Sequence, residues 1–206
     1  MWTDDPLTVP GVPFPLVPSS PDRWRLGEPT GGISVVAAAR TDVFIDPGGD
    51  AEPTLDAARL LGVPADGDFQ FSARVTVDFA ATYDAGVLLL WVDERRWAKL
   101  CFEFSPAGEP MVVSVVCRDV ADDANAFVVP HRSVWLRVSR IGRAYAYHAS
   151  VDGRTWQMIR HFALGDEGAR ARVGFEAQSP VGEGCTVTFD RIRFVAARLA
   201  ELRDGS

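Results

Sequence analysis

The feature that most constrains the fold of this chain is a succession of short apolar runs with a period of two, each closed by a turn signal. A period of two places alternate side chains on opposite faces of a β-strand. Turn signals such as Asp-Pro-Gly-Gly at 46–49 and Val-Asp-Gly-Arg at 151–154 separate the runs. This pattern predicts an all-β chain that folds as an antiparallel sandwich or barrel. The predicted strands span residues 33–39, 69–79, 85–92, 96–104, 111–117, 126–129, 134–140, 144–150, 155–161, 171–178 and 185–194.

Helical signal is weak by comparison. We expect residues 54–61 to form one or two helical turns, and residues 196–203 to form a short helix. Neither segment supplies the crossover helix that a parallel sheet needs, so the sheets are expected to be antiparallel.

The beginning of the chain is rich in proline. Prolines exclude a helix and most central strands there, at Pro6, Pro10, Pro13, Pro15, Pro18 and Pro21. We therefore expect three parts in the 206 residues: an extended Pro-rich N-terminal arm (1–32), a β-sandwich domain (33–195) and a short C-terminal tail (196–206).

The alternation also assigns side chains to the faces of each predicted strand. In the run from Trp97, one face is apolar, with Ala98, Leu100, Phe102 and Phe104, and the other carries Trp97, Lys99, Cys101 and Glu103. In the last run, Val187 and Phe189 share a face, whereas Ile192 and Phe194 have the opposite phase. A β-bulge near Asp190 and Arg191 would restore the phase, because a bulge inserts one extra residue into a strand.

Charge and hydropathy exclude several classes of partner. The 28 acidic and 21 basic residues give a net charge of −7, which argues against a nucleic-acid partner. No apolar run approaches the roughly 20 residues of a membrane helix, and residues 1–5 lack the apolar region of a secretory signal. We therefore expect a cytoplasmic protein with no membrane or nucleic-acid partner. The three cysteines have no metal-binding or disulfide spacing and are expected to be buried thiols.

Three segments together carry a family resemblance. They are Tyr-Asp-Ala-Gly-Val-Leu-Leu at 83–89, Trp-Ala-Lys-Leu-Cys-Phe-Glu at 97–103 and Ser-Val-Asp-Gly-Arg-Thr-Trp at 150–156. In this order they resemble the DUF1349 family, over roughly residues 31–194. The resemblance implies an antiparallel two-sheet jelly-roll sandwich of the concanavalin A-like lectin and glucanase type. The family is similar to a yeast protein described as a regulator of enolase and has no established reaction, so the resemblance implies a fold more strongly than a function.

The glucanases of this fold place two or three carboxylates two residues apart on one strand. In this chain Glu103 is flanked at that spacing by Cys101 and Ser105, so the pair along the strand is missing. Retaining cleavage needs two carboxyl groups about 5–5.5 Å apart. A cross-strand pair of Glu103 with Glu176 stays open if their strands are neighbours.

The polar face that carries Trp97, Lys99 and Glu103 suits sugar recognition. An indole stacks on the apolar face of a pyranose, and charged groups orient its hydroxyls. Lys99 is the only lysine among the 21 basic residues, which singles it out as a compact ammonium. The predicted ligand-binding residues are Trp97, Lys99, Glu103, Arg137, His148, Glu176 and Gln178, with His148 included if it lies on the same sheet face. The alternative is a solvated face on which Lys99 and Glu103 form a weak ion pair.

Two further polar groupings have structural explanations. Ser150, Asp152 and Gly153 are expected to close a hairpin, because their side chains can bond turn amides. The cluster of Asp119, Asp122, Asp123 and Asn125 is expected to be an exposed loop. It does not match a calcium loop, and the widely spaced histidines do not match a zinc site. No metal or other cofactor is expected.

The sequence thus favours a lectin-like domain that binds a carbohydrate or a sugar-derived ligand on a concave sheet face without catalysis. One alternative is a glycosidase-type enzyme that uses a cross-strand carboxylate pair. Another is a regulatory domain whose partner is a protein.

Overall fold

The computed structural model describes residues 6–27, 31–166 and 170–206. The described residues form mainly β-strands, with a 3-10 helix at Pro21–Arg23, and contain no α-helix. None of them forms a helix of the length and hydrophobicity that crossing a membrane would require. The strands are β1 (Val17–Pro18), β2 (Trp24–Leu26), β3 (Ile33–Val36), β4 (Val43–Phe44), β5 (Thr54–Leu55), β6 (Ala58–Gly62), β7 (Phe69–Asp78), β8 (Ala85–Asp93), β9 (Arg96–Phe104), β10 (Pro110–Arg118), β11 (Val120–Val128), β12 (Ser133–Ile141), β13 (Ala144–Ser150), β14 (Gln157–Phe162), β15 (Arg172–Gln178) and β16 (Thr186–Val195).

Two seven-stranded sheets make up the sandwich. The first sheet has the order β1-β6-β15-β8-β9-β10-β11, and the second has the order β14-β13-β12-β7-β16-β3-β2. Neighbouring strands are antiparallel in both sheets, and β4 and β5 form a separate two-stranded hairpin. The predicted all-β, two-sheet antiparallel sandwich is therefore confirmed.

The main core lies between the two sheets, where their inward faces meet. Phe71 of β7 packs edge-on against Phe175 of β15, with ring centroids 5.2 Å apart. The period-two pattern holds along β9, whose alternate residues Leu100 and Phe102 enter this core. Leu100 and Phe102 of the expected apolar face are fully buried, as are four residues of other strands that enter the same core, namely Phe71, Val75, Leu136 and Phe175.

The predicted bulge in the last strand is also confirmed. The register of β16 against β7 shifts between Asp190 and Arg193, and Arg191 takes a positive φ of 50°. The extra residue lets Phe194 pack against the same core as Phe189. Asp190 accepts a hydrogen bond from Arg74 Nε at 2.8 Å beside the bulge.

Three local expectations were wrong, and in each case pairing between strands overrides the local signal. Residues 54–61 contain β5 and most of β6 rather than a helix, because β6 pairs with both β1 and β15. Residues 196–203 are not helical, and the last turn closes through the Ala200 N–H and the Ser206 carbonyl at 2.8 Å. Asp122, Asp123 and Asn125 of the acidic cluster lie on the edge strand β11, which pairs with β10, instead of in a loop, and Asp119 is at the bend before that strand.

Residues 6–27 run along the sandwich. β1 adds an edge strand to the first sheet, and β2 adds one to the second. Val9, Val12 and Leu16 are buried against the core between the sheets. Consequently the Pro-rich residues contribute to the packing of the sandwich.

Candidate functional site

A hairpin covers part of the outer face of the first sheet. Residues 41–57 contain β4 and β5, and Val43 and Ile45 join Val87, Leu89 and Trp97 in a second apolar cluster on that face. The hairpin is tied to the sheet edge by a hydrogen bond from the Ala121 N–H to the Ile45 carbonyl, at 2.9 Å. This face of the sheet is therefore only partly open to solvent.

A cavity of about 400 Å³ opens beside the hairpin, and we call it the Lys99 cavity. Its polar lining comes from Asp42, Lys99, Glu103, Asp123 and Gln178. Phe44 and Tyr83 supply aromatic surface. Ligand sites typically combine an enclosed apolar surface with a few convergent polar groups, and the Lys99 cavity has this combination.

Lys99 is the most constrained charge at this site. Its side chain is 2% exposed, and its ammonium lies 3.0 Å from Asp42 Oδ1 and 2.9 Å from Gln178 Oε1. The ammonium also lies 5.7 Å from the ring centroid of Trp97. Burial by itself would lower the pKa of Lys99, but the opposing fields of Asp42 and Glu176 outweigh it and raise that pKa. Lys99 is therefore a fixed positive charge at the base of the cavity.

Glu103 lies on the same face of β9 as Lys99 and is half-buried. Burial raises its pKa to about 8, because the charged form loses hydration; Lys99 opposes this rise, whereas the negative charges of Asp123 and Asp42 add to it. At neutral pH Glu103 is mostly protonated. A protonated carboxyl group both donates and accepts a hydrogen bond, as does a sugar hydroxyl.

Glu176 is completely buried next to this cavity, beneath the hairpin. Neither of its carboxylate oxygens has a hydrogen-bond partner among the described residues. Burial raises its pKa to about 7, with Lys99 and Arg59 opposing that rise and Asp42 adding to it. Glu176 thus affects the cavity through its charge, without lining it.

The condition for a cross-strand catalytic pair is not met. Glu103 is on β9 and Glu176 is on β15, and β8 lies between these strands. Across the sheet, Glu103 of β9 lies opposite Ala85 of β8. On its other side Ala85 lies opposite Gln178 of β15, not opposite Glu176. Strands are about 4.8 Å apart, so the backbones of the two glutamates are about 10 Å or more apart. The strands therefore do not place the two glutamates opposite each other, and the charge of Glu176 still acts on Glu103 by raising its pKa.

Trp97 does not provide the exposed stacking surface that was expected. Its side chain is 0% exposed, and its indole N–H donates to the Glu94 carbonyl at 3.2 Å. The hairpin buries the ring, and no sequence pattern in β9 indicates that cover. Tyr83, which sequence analysis did not select, lines the cavity instead and is 40% exposed.

The backbone holds Tyr83 in an unusual conformation. Its φ is 67°, a value that costs energy for a bulky residue and that recurs at binding sites. Its N–H donates to the Phe104 carbonyl at 2.7 Å, and its carbonyl accepts from Gln178 Nε2 at 3.4 Å. The buried carboxylate of Asp84 fixes the same turn by accepting the Ala80 and Ala81 N–H groups at 2.9 and 2.8 Å. The one sequence signal for Tyr83 was its place in the 83–89 segment.

Arg137 and His148 lie elsewhere. They face each other on β12 and β13 of the second sheet, where they contact the last residues of the chain. The condition for including His148, a shared sheet face, is therefore not met. Of the seven predicted residues, Lys99, Glu103 and Gln178 line one cavity, Trp97 and Glu176 are buried beside it, and Arg137 and His148 lie on the other sheet.

The acidic strand β11 and the Ser150 turn have structural partners. Asp122 pairs with Arg160 at 2.7 Å, and no set of three or more His, Cys, Asp or Glu side chains within the described part of the chain could hold a metal. In the turn, Ser150 Oγ accepts the Gly153 N–H at 2.9 Å, and Asp152 Oδ1 accepts the Thr155 N–H at 2.8 Å. The N–H groups of Thr155 and Arg154, which donate to the Asp152 carboxylate, lower the pKa of Asp152 to about 2.

Comparison with known proteins relates the chain to one family and one fold. The family model described as "Protein of unknown function (DUF1349)" matches residues 19–197. Regulation of enolase protein 1 of Saccharomyces cerevisiae is 29% identical over 156 residues, which are 74% of this chain and 77% of that protein. A solved structure of a functionally unknown protein from the same yeast has a TM-score of 0.72 at 24% identity, covering 84% of this chain and 95% of that one.

Glycoside hydrolase structures share the fold at lower identity. A GH43 protein from Bacillus licheniformis has a TM-score of 0.72 at 15% identity, and the match covers 94% of this chain but 38% of that one. The xylan beta-1,4-xylosidase from Bacillus halodurans has a TM-score of 0.70 at 12% identity, with 93% and 38% covered. The chain therefore corresponds to a β-sandwich portion of those larger enzymes.

Proposed function

The chain belongs to the DUF1349 family of proteins of unknown function, and from that premise we propose that it binds a carbohydrate or a sugar-derived ligand in the Lys99 cavity, in the cytoplasm and without catalysis. The observation that carries the proposal is the buried Lys99 ammonium, held by Asp42 and Gln178 at the base of a cavity that Glu103 also lines. A polyol with several hydroxyls matches this mixture of donors and acceptors.

The aromatic and polar groups of the cavity have complementary roles in this proposal. The exposed ring of Tyr83 offers a surface on which an apolar sugar face can stack. Gln178 and Lys99 are oriented by each other, so less side-chain freedom is lost when a ligand binds. Preorganisation of this kind favours a small polar ligand.

Binding without cleavage is supported by the separation of Glu103 from Glu176, while the other carboxylates of the cavity, Asp42 and Asp123, contribute charge to the proposed ligand site. Glu103 and Glu176 are separated by β8, and Glu176 is completely buried. Glycoside hydrolysis uses an acid and a second carboxylate on opposite sides of the scissile bond. The same-sheet neighbours of Glu103, Ala85 and Met111, carry no carboxyl group.

A regulatory role with a protein partner is the second candidate. It rests on the similarity to Regulation of enolase protein 1, which is 29% identical to this chain. The two candidates differ in what occupies the cavity. A sugar ligand would be contained within it, whereas a protein partner would also cover the exposed residues around its rim.

The test is a glycan-array and calorimetric screen with sugars and sugar phosphates, on the full chain and on Glu103→Gln, with hydrolysis measured on the same oligosaccharides. A binder should keep partial affinity in Glu103→Gln, because the amide still forms hydrogen bonds with hydroxyls. Glu109→Gln, at an exposed turn position in the hairpin that joins β9 to β10, is the matched control. Unchanged affinity in both Glu103→Gln and Tyr83→Ala would reject the cavity as the site, and turnover that Glu103→Gln abolishes would favour the enzyme.

A further inference from the structure

The last eleven residues of the chain, 196–206, lie across the outer face of the second sheet, and we call them the terminal segment. The Ala197 carbonyl accepts from Gln70 Nε2 at 3.4 Å, and the Leu202 carbonyl is 2.8 Å from His148 Nε2. Leu199 is 4% exposed. The terminal segment therefore covers polar side chains of β7 and β13.

Arg137 beneath this segment is a buried charge without a carboxylate partner. It is 7% exposed, and its guanidinium stacks on the Trp156 ring at 4.2 Å. It donates to the Gly205 carbonyl and, at 3.4 Å, to Gln70 Oε1, and among the described residues no acid forms an ion pair with it. Burial lowers its pKa to about 10. A buried charge that lacks a counter-charge is costly.

Polar atoms on and around Arg137 have hydrogen-bonding capacity that is not used. Arg137 Nε, His148 Nδ1 and Ser139 Oγ are buried without partners in the described part of the chain. A carbonyl can only accept, so His148 Nε2 carries the proton in its contact with Leu202. Displacement of the terminal segment would free the donors of Arg137 Nη2 and His148 Nε2 next to the unused Arg137 Nε.

Gly205 fits between these side chains because it has no Cβ. A Cβ there would collide with Arg137 Nη2, and it would lie 2.8 Å from Trp156 Cβ and 3.0 Å from His148 Cδ2. The φ of Gly205 is +73°, which also disfavours any other residue. The terminal segment thus places two carbonyl oxygens, those of Leu202 and Gly205, where the donors converge.

We propose that Arg137, His148 and Trp156 form a binding site for an oxyanion, a carboxylate or a phosphate group, and that the terminal segment covers this site as an intramolecular occupant. The two carbonyls accept from Arg137 Nη2 and His148 Nε2, but they leave Arg137 Nε unpaired and the charge of Arg137 uncompensated. An oxyanion would supply both hydrogen-bond acceptors and a compensating negative charge, through the short charge-assisted bonds that guanidinium forms with carboxylate and phosphate. The site is on the opposite sheet from the Lys99 cavity and does not depend on the function proposed there.

The contacts that hold the terminal segment on the sheet are weak enough for an oxyanion to displace it. Its contacts are mainly single hydrogen bonds and an exposed ion pair of Arg198 with Asp68 at 3.3 Å, and exposed pairs contribute little. Segments with few buried apolar contacts open more readily than the core. Opening of the terminal segment is therefore expected to cost less free energy than unfolding of the core.

Gly205→Ala in the full chain tests the covering role. The methyl group has no room, so the terminal segment should leave the site, and amide exchange at Ala200 and Gly205 should accelerate. The apparent affinity for inorganic phosphate or acetate should rise about tenfold, because the uncovered form that binds the ion is no longer the minor form. Gly108→Ala is the matched control, because Gly108 has φ +77° and nothing within 4 Å of its Cβ position.

The binding role is tested by adding Arg137→Met to Gly205→Ala, which should abolish the gained affinity. Leu199→Ala loosens the segment from its other end and should give a smaller gain of the same kind. Comparison of phosphate with acetate identifies which oxyanion the site prefers. The proposal would be overturned if amide exchange in Gly205→Ala were unchanged, or if it were faster without tighter binding of phosphate or acetate. It would also be overturned if the gained binding survived Arg137→Met.

Discussion

The Lys99 ammonium and the Asp42 carboxylate are 57 positions apart in the sequence and meet at 3.0 Å. This contact joins strand β9 to the residue that precedes β4. Asp42 also anchors the hairpin internally, because its carbonyl accepts the Asp56 and Ala57 N–H groups at 3.0 and 3.1 Å. The charge that shapes the proposed ligand cavity therefore also fixes the hairpin that forms one of its walls.

Lys99→Met should both destabilise the fold and abolish ligand binding. Removing one partner of a buried ion pair typically costs about 3–5 kcal/mol. Asp42 is 19% exposed and can regain some hydration, so we expect about 2–3 kcal/mol at this site. The measurement is urea denaturation at neutral pH, with ligand binding followed by calorimetry.

Arg132→Met provides the control for the loss of a cation. Arg132 pairs with Asp78 at 3.3 Å, but both side chains are largely exposed, so the cost should stay below about 1 kcal/mol. If Lys99→Met were no more destabilising than Arg132→Met, the anchoring role of Lys99 would be wrong.

Stability should fall as the pH rises through the range in which Glu176 and Glu103 ionise. Their pKa values in the folded protein are raised from 4.5 to about 7 and about 8, so the folded state holds protons that the unfolded state has already released. Their stabilising contribution is thus present below pH 4.5 and is lost by about pH 8. For Glu176 the expected loss is about 2–3 kcal/mol. Urea denaturation between pH 5 and 9 measures it.

Glu176→Gln isolates the contribution of this residue to the pH dependence. The variant cannot ionise, so its stability should change less between pH 5 and 8 than that of the unsubstituted chain, whatever its absolute stability. Glu183→Gln, at an exposed position paired with Arg40, should leave the slope unchanged. Equal slopes in all three proteins would contradict the buried ionisation.

Tyr83→Ala should mainly weaken ligand binding, whereas Trp97→Ala should mainly lower the stability of the fold. Tyr83 is 40% exposed at the cavity, so its truncation should weaken sugar binding about tenfold, in the range of an aromatic stacking contact, with little loss of stability. Trp97 is fully buried, so its truncation should cost about 3–5 kcal/mol of stability. Thermal unfolding and ligand titration of both variants separate the two roles; full affinity in Tyr83→Ala would exclude the ring as the stacking surface.

Gly86→Ala should strain the contact between the two sheets. A Cβ on Gly86 would lie 2.5 Å from Val187 Cγ1 and 2.6 Å from Val75 Cγ1, both in the core. Overpacking of this kind costs about 1–3 kcal/mol. Gly48→Ala is the control, since the nearest atoms to its Cβ position are 3.4 Å away. Chemical denaturation of the two variants should differ clearly, and equal stabilities would show that the core accommodates the methyl group.

Much of the fold could be predicted because a two-residue period is a local property. The alternation correctly divided Leu100 and Phe102 from Lys99 and Glu103, and the phase error between Phe189 and Phe194 located the bulge. Local signals failed at residues 54–61, where one or two helical turns were expected. There the hydrogen bonds that β6 forms with two other strands decide the conformation.

The sequence by itself therefore determined the sandwich and the face on which each strand residue lies, because both follow from local periodicity and from the family resemblance. Only the tertiary structure decided which polar faces meet. β8 separates Glu103 from Glu176, the hairpin at 41–57 buries Trp97, and the terminal segment covers Arg137 and His148 on the second sheet. The physical reason is that periodicity states which side of a strand a residue occupies, whereas strand order and the packing of distant segments depend on contacts between residues far apart in the chain.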